Sequence, residues 1–192
     1  MKSICVFAGS RFGEDEQYRK KAEQLGGTLA KQGYRIIYGG SKFGLMGAMA
    51  DAALSAGGEV IGVMPTGLMN GELAHPGLTQ FLEVEDMHTR KAKMGEMADG
   101  FIALPGGFGT LEELFEVLCW LQIGIHQKPV GVLNINGYYD PLIGLVESCI
   151  AAGFVNQGHL SLINISAEPS ELISLMEHFV PNVAEKKWKQ GV

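Results

Sequence analysis

Short runs of consecutive apolar residues, each cut off by glycine, proline or a polar turn and alternating with helical patterns, recur along this chain. Residues 4–8 end at Gly9-Ser10, 34–38 at Gly39-Gly40-Ser41, 60–64 at Pro65, and 101–104 at Pro105-Gly106-Gly107. Residues 81–84, 129–135 and 162–165 complete the set. Strands that are apolar at every position need cover on both faces, as parallel sheets have. Helical patterns fall between them, at about 14–31, 44–57, 87–99, 110–121, 140–152 and 169–179. This alternation predicts an α/β fold, a Rossmann-like doubly wound parallel sheet. One domain over residues 1–180 accounts for the pattern, with 181–192 as a C-terminal tail.

Ligands on such sheets bind beyond the carboxyl ends of the strands. Four elements fall there: Gly9-Ser10, Gly39-Gly40-Ser41, the Gly- and Pro-rich stretch 66–79, and Pro105-Gly106-Gly107. Irregular loops as long as 66–79 are commonly functional. The last element is the most informative, because a helical pattern starts at once after Gly106, Gly107 and Gly109. Glycines at a strand-to-helix turn permit φ > 0 and close approach to a ligand. The helix start then offers unpaired N–H groups and the positive end of its dipole, a setting for phosphate.

Glu112, Glu113 and Glu116 fall within a sector of about 140° on that helix. Leu111, Leu114, Phe115, Leu118 and Leu121 take the opposite, core-facing side. Carboxylates beside a phosphate repel it, so the pattern points to a phosphorylated ligand whose neutral part meets an acid. A plainer reading is a capping box, with Thr110 as N-cap and Glu113 three residues on.

Composition narrows the classes. Hydrophobic residues make up 46% and charged residues 19%, so a substantial core is expected, and the net charge of -6 argues against a nucleic-acid partner. The basic cluster Lys186-Lys187-Trp188-Lys189 reads as a solvated end. Cys5, Cys119 and Cys149 are isolated and read as buried thiols in a reducing, cytoplasmic compartment. The apolar N-terminal run is too short for a signal peptide, and no run approaches a membrane span.

Gly9-Ser10-Arg11-Phe12-Gly13 lacks the dinucleotide-binding glycine pattern, and no Walker lysine follows any glycine loop. The helix beginning Met87-His88-Thr89-Arg90-Lys91 carries matching positive charge. Met87, Arg90, Met94 and Met97 share one face, so Arg90 lies in an apolar stripe. A guanidinium there needs a carboxylate or phosphate partner, and a structural salt bridge serves as well as a ligand. Lys91 either shares the anion or faces solvent. Asp86 caps this helix, and Glu72 in the long loop reaches a ligand or only solvent. His75, His88 and His126 lack metal-ligand spacing and read as ordinary polar residues.

With these residues assembled, the chain resembles the LOG (lonely guy) family of cytokinin-activating phosphoribohydrolases. The family motif PGGxGTxxE stands as Pro105-Gly106-Gly107-Phe108-Gly109-Thr110-Leu111-Glu112-Glu113, and its companion pair as Arg90-Lys91. Tyr38-Gly39-Gly40, Gly44-Leu45-Met46-Gly47, Gly124-Ile125-His126 and Asn136-Gly137-Tyr138-Tyr139 extend the likeness over all but the last dozen residues. Ala8, Arg11, Ser41 and Cys119 depart from residues frequent in the family.

The resemblance implies hydrolysis of the N-glycosidic bond of adenosine 5′-monophosphate or an N6-prenylated form, without a cofactor. It also implies a homodimer with the active site near the subunit interface. Carried over residue by residue, Arg90 and Glu113 match the catalytic pair. Glu72, Met87, Arg90, Lys91, Gly106, Gly107, Phe108, Gly109, Thr110, Leu111, Glu112 and Glu113 are the expected substrate contacts, with Ser10, Gly39 and Gly40 from the other strand ends. The chemistry fits, since an oxocarbenium-like ribose is stabilised by a carboxylate. Glu113 would stabilise that cation and orient or deprotonate water, and Arg90 would position Glu113 or bind the phosphate. Two rivals stand beside this reading. A non-catalytic nucleotide or cofactor carrier would need the glycine turns but not both Arg90 and Glu113. A lysine decarboxylase would need a Schiff-base lysine, for which Lys42, Lys91 and Lys128 offer no recognisable setting.

Overall fold

The computed structural model describes residues 1–68 and 74–181. Glu72, the basic cluster at 186–189 and nearly all of the expected tail lie outside the described residues. Seven strands, β1 (Ser3–Phe7), β2 (Arg35–Tyr38), β3 (Val60–Pro65), β4 (Gln80–Val84), β5 (Gly100–Ala103), β6 (Val130–Leu133) and β7 (Ile163–Ser166), form one sheet in the order β4-β3-β2-β1-β5-β6-β7. Every pairing is parallel, as the unbroken apolar runs predict. Among the described residues six α-helices alternate with them: α1 (Glu16–Lys31), α2 (Gly44–Ser55), α3 (Met87–Met97), α4 (Phe108–Ile123), α5 (Asp140–Ala151) and α6 (Pro169–Glu177). Among the described residues, no helix is long and apolar enough to cross a membrane.

The side-chain alternation of β1 shows why two helical layers are needed. Ile4 and Val6 enter one core with Leu25 and Leu29 of α1, Met49 of α2 and Leu172 of α6. Cys5 and Phe7 enter the other with Met94 of α3 and Leu114, Val117 and Leu121 of α4. The edge strands β4 and β7 depart from full burial, because each lacks a neighbour on one side, and Arg35 at the start of β2 is exposed.

The chain runs outward from β1 through β2 and β3 to β4, then returns to the other side of β1 as β5. The crevice of the fold therefore opens where the ends of β1 and β5 diverge. Backbone bonds join these ends: Leu104 N–H donates to Phe7 O at 2.9 Å, and Gly9 N–H to Pro105 O at 3.1 Å. α2 begins against the same loop, with Leu45 N–H donating to Gly9 O at 3.0 Å. Gly44 holds φ at 57°, and a Cβ there would stand 2.3 Å from the Arg11 nitrogen, so only glycine fits.

Several local expectations are corrected. α4 starts at Phe108 with Gly107 as N-cap and no capping side chain, so the Thr110–Glu113 capping box does not form. Thr110 is already the third helical residue and is buried against Gly106, which removes it from a capping position. Phe115 is 41% exposed, because it turns away from the sheet, whereas Leu114, Val117 and Leu121 are buried. Cys119 is exposed and Cys149 partly so, which leaves Cys5 as the one fully buried thiol; all three are free. The expected strand 129–135 stops at Leu133, and a short 3₁₀ turn at Ile135–Gly137 follows, with Asn136 in the left-handed region at φ 50°.

That turn places Tyr139 in the core with its hydroxyl donating to Leu104 O at 2.7 Å, and Tyr138 with its hydroxyl donating to Gly106 O at 2.5 Å. Both ends of the glycine turn are thus held from β6's following loop. Tyr139→Phe is expected to lower unfolding stability by about 1–2 kcal/mol, since it removes the Leu104 carbonyl's donor in a buried setting. Urea denaturation of the two proteins measures this difference.

Candidate active site

The turn 104–107 delivers the start of α4 into a cavity of about 290 Å³. Its walls come from Ala8, Gly9 and Ser10 after β1, Met46 of α2, Leu68, Met87 and Arg90 of α3, and residues 107–110 with Glu112 and Glu113 of α4. The N–H groups of Phe108, Gly109 and Thr110 belong to a first helical turn, which has no intrahelical acceptors, and no side chain caps it. They are therefore open to an anion, with the helix dipole in support.

The three glycines act by space rather than by positive φ, contrary to expectation; among the described glycines, 106, 107 and 109 are not in the left-handed region. A Cβ on Gly106 would meet Thr110 Oγ1 at 2.1 Å and the Gly9 nitrogen at 2.8 Å, so glycine permits the turn to close on the β1 loop. A Cβ on Gly107 or Gly109 would meet nothing within 4 Å. Their bare backbone leaves room at the cavity wall.

Arg90 is 7% exposed. Its Nε donates to Val63 O at 3.0 Å, and Nη1 approaches Met87 Sδ at 3.8 Å. Gly39 clears a seat for the guanidinium, since a Cβ there would lie 2.0 Å from Nη2. Among the described residues no carboxylate oxygen comes within 4.0 Å of Arg90, so the structural salt bridge weighed for it is not formed there. A buried guanidinium bordering a cavity without an ionic partner is costly until an anion arrives.

Glu113 is half-buried in the same cavity. Burial pushes its carboxyl up to about 7, Arg90 pulls the other way, and Glu112 and Glu116 add to the rise. Near neutrality this carboxyl therefore exists in both protonation states, as a group that handles protons or meets a developing charge should. Lys91 takes a third path between the anion and solvent. Its Nζ binds Glu112 Oε1 at 2.5 Å and Glu116 Oε1 at 2.9 Å, tying α3 to α4 and offsetting the acidic sector.

Of the expected contacts, Ser10, Met87, Arg90, Gly107, Phe108, Gly109, Thr110, Glu112 and Glu113 line one cavity. Gly106 lines the neighbouring cleft, while Lys91 and Leu111 line neither. Gly39 serves Arg90, and Gly40, at φ 81°, accepts the His75 N–H at 2.9 Å. Ala8, Met46 and Leu68 were not foreseen; Met46 stood within a quoted glycine motif, and Leu68 carried no signal beyond the long loop. Asp86 caps α3 as expected, accepting the Thr89 N–H at 2.7 Å. His75 bonds Asp51 Oδ1 at 2.9 Å, and His126 bonds Val117 O at 2.9 Å, its pKa lowered by burial to about 4. No group of three or more potential metal ligands occurs among the described residues.

Comparisons with known proteins show the family and the fold. The sequence profile of a family described as "Possible lysine decarboxylase" matches residues 46–176. A rice protein (Oryza sativa subsp. japonica) named probable cytokinin riboside 5′-monophosphate phosphoribohydrolase LOGL9 is 44% identical over 180 residues, 94% of this chain and 79% of its own length. An Arabidopsis thaliana protein, cytokinin riboside 5′-monophosphate phosphoribohydrolase LOG1, is 43% identical, covering 97% of this chain and 89% of its own. The solved molybdenum cofactor carrier protein of Chlamydomonas reinhardtii superposes with a TM-score of 0.68 over 92% of this chain and 96% of its own, at 20% identity, and shares the fold.

The raised pKa of Glu113 has a consequence for stability. The folded chain holds this proton up to about pH 7, whereas an unfolded glutamate releases it near 4.5, so stability falls as pH rises between those values. Glu113→Gln removes that penalty. The variant is expected to exceed the parent at pH 8 by up to about 3 kcal/mol, with the gap closing toward pH 4.5. Thermal melts across that range read the effect; a difference independent of pH contradicts it.

Proposed function

The chain belongs to the LOG family of cytokinin riboside 5′-monophosphate phosphoribohydrolases, and from that premise we propose that it hydrolyses the N-glycosidic bond of adenosine 5′-monophosphate or an N6-modified form. The products are the free base and ribose 5-phosphate. The observation that carries this reading is the meeting of buried Arg90 and half-buried Glu113 in one cavity at the open start of α4.

In this reading the 5′-phosphate sits on the N–H groups of residues 108–110. No Arg90 nitrogen comes within 4.0 Å of a Glu113 oxygen, so the two are not ion-paired, and both line the cavity that would take the substrate. Arg90 faces the anionic end, and Glu113 faces the ribose. As the C1′–N bond breaks, its electron pair goes to the base, which takes a proton from solvent, and positive charge develops on the sugar. The Glu113 carboxylate stabilises that charge, takes the proton of the water whose oxygen adds to C1′, and then releases that proton to solvent. A cofactor carrier would have no use for a carboxyl desolvated beside the anion site. Pyridoxal chemistry lacks its lysine: among the described residues none lines the cavity, Lys91 is held by two glutamates, and Lys128 donates to Gly95 O at 2.8 Å.

The expected homodimer has a natural surface. α5 buries no residue although its sequence is strongly apolar, and Leu145 is 57% exposed. With Phe115, Leu118 and Cys149 it borders an apolar groove between α4 and α5. A neutral apolar face suits a second copy of itself, which an isologous interface requires. Free thiols and the lack of a spanning helix among the described residues support a cytoplasmic setting.

Incubation with AMP and isopentenyl-AMP, following ribose 5-phosphate release, tests the activity. The parent is expected to turn over at least one, with kcat/KM falling as pH drops below about 7, because Glu113 must be ionised. Glu113→Gln is expected to lose about 10²-fold or more in kcat while remaining folded; a folded parent that binds both nucleotides and releases nothing refutes the reading. For the dimer, light scattering should give twice the chain mass for the parent and the monomer mass for Leu145→Glu.

A further inference from the structure

Behind the glycine turn lies a second and larger cleft, of about 710 Å³. It shares Gly9, Ser10, Gly107 and Phe108 with the candidate active site, so the two spaces meet at the open start of α4. Its other walls include Arg11 and the rings of Phe12, Tyr18 and Tyr138. Glu113 and Arg90 belong to the first cavity alone, which makes the larger cleft the side away from the ribose.

Charge at the meeting point is short of cations. An ionised Glu113 and a phosphate dianion together bring about three negative charges, and Arg90 brings one positive. Lys91 cannot supply more, because Glu112 and Glu116 hold it. Arg19, near the cleft, is bonded to Glu23 at 2.8 Å and lies over the Phe12 ring at 5.3 Å. Arg11 differs: it is exposed, lines the cleft, and among the described residues forms no ion pair within 4.0 Å. Its backbone lies close against the start of α2, where a Cβ on Gly44 would stand 2.3 Å from the Arg11 nitrogen.

Building on the proposed reaction, we propose that the larger cleft is the phosphate-side subsite of the active site, and that Arg11 is the residue there that grips the 5′-phosphate. Arg11 then discriminates nucleoside monophosphates from nucleosides. The guanidinium approaches the phosphate oxygens from the cleft side, opposite the α4 N–H groups. The open volume beyond it admits solvent and releases ribose 5-phosphate without passage of the base.

Arg11→Ser and Arg11→Lys test this, assayed with AMP and adenosine, together with calorimetric titration of ribose 5-phosphate. Arg11→Ser is expected to raise KM for the nucleotide about 10- to 100-fold, the range for losing one charge-assisted contact, with a much smaller change in kcat. The preference for nucleotide over nucleoside and the affinity for ribose 5-phosphate should fall by the same factor, and Arg11→Lys should restore most of both. KM and ribose 5-phosphate affinity within about twofold of the parent in Arg11→Ser, at low salt where charge effects are largest, overturns the proposal, as does a parent that fails to bind ribose 5-phosphate. If the parent binds ribose 5-phosphate but hydrolyses no nucleotide, the proposed reaction fails alone, and the titrations still decide Arg11.

Discussion

The structure depends on how the ends of β1 and β5 are held together where the sheet changes direction. Leu104 N–H to Phe7 O and Gly9 N–H to Pro105 O continue the ladder past the last strand residues. They bring two loops into backbone contact that a Cβ on Gly106 would prevent. The hydroxyls of Tyr138 and Tyr139 then fix Gly106 O and Leu104 O from a third segment. The start of α4 is therefore aimed by the sheet and by the turn after β6, and the direction of its free N–H groups is set before any ligand enters. Rigid support of this kind is what a site needs when small displacements of the reacting groups cost rate.

Most of the framework was legible in the sequence because it is local. Seven apolar runs with glycine or proline after the inner ones specify parallel strands, and the arginine within a methionine stripe on α3 marks a buried cation. What escaped depends on residues distant in the chain. Thr110 and Glu113 have the spacing of a capping box, but the helix start is decided by the Gly106–Thr110 contact, which only the folded turn creates. Lys91 finds Glu112 and Glu116 on another helix, and the clearance Gly39 gives Arg90 exists only once β2 and α3 lie side by side. The larger cleft joins segments around residues 9–18, 45, 105–108 and 138, and no sequence window contains it.

The environment of Glu113 follows from what its neighbours do instead of pairing with it. An Arg90–Glu113 ion pair would hold the carboxyl ionised well below neutrality. Arg90 is instead engaged by the Val63 carbonyl, and the nearest lysine is spent on Glu112 and Glu116. Desolvation then dominates, and the carboxyl rises to about 7. Glu112 beside it is thus kept exposed and paired, while Glu113 is half-buried and carries no ion pair among the described residues.

That arrangement favours the transition state of the proposed reaction over its ground state. A bound phosphate dianion raises the cost of ionising Glu113, whereas a cationic sugar lowers it, since opposite charge within a dry site is strongly attractive. The carboxylate is therefore least comfortable with the intact nucleotide and most comfortable as the glycosidic bond breaks. Stabilisation that appears only with the developing charge accelerates the chemical step, while equal stabilisation of both states would only tighten binding. A lysine in the cavity wall would quench this difference by pairing with Glu113 in every state. In the proposed reaction, selective stabilisation would rest on the absence of such a lysine among the described residues lining the cavity.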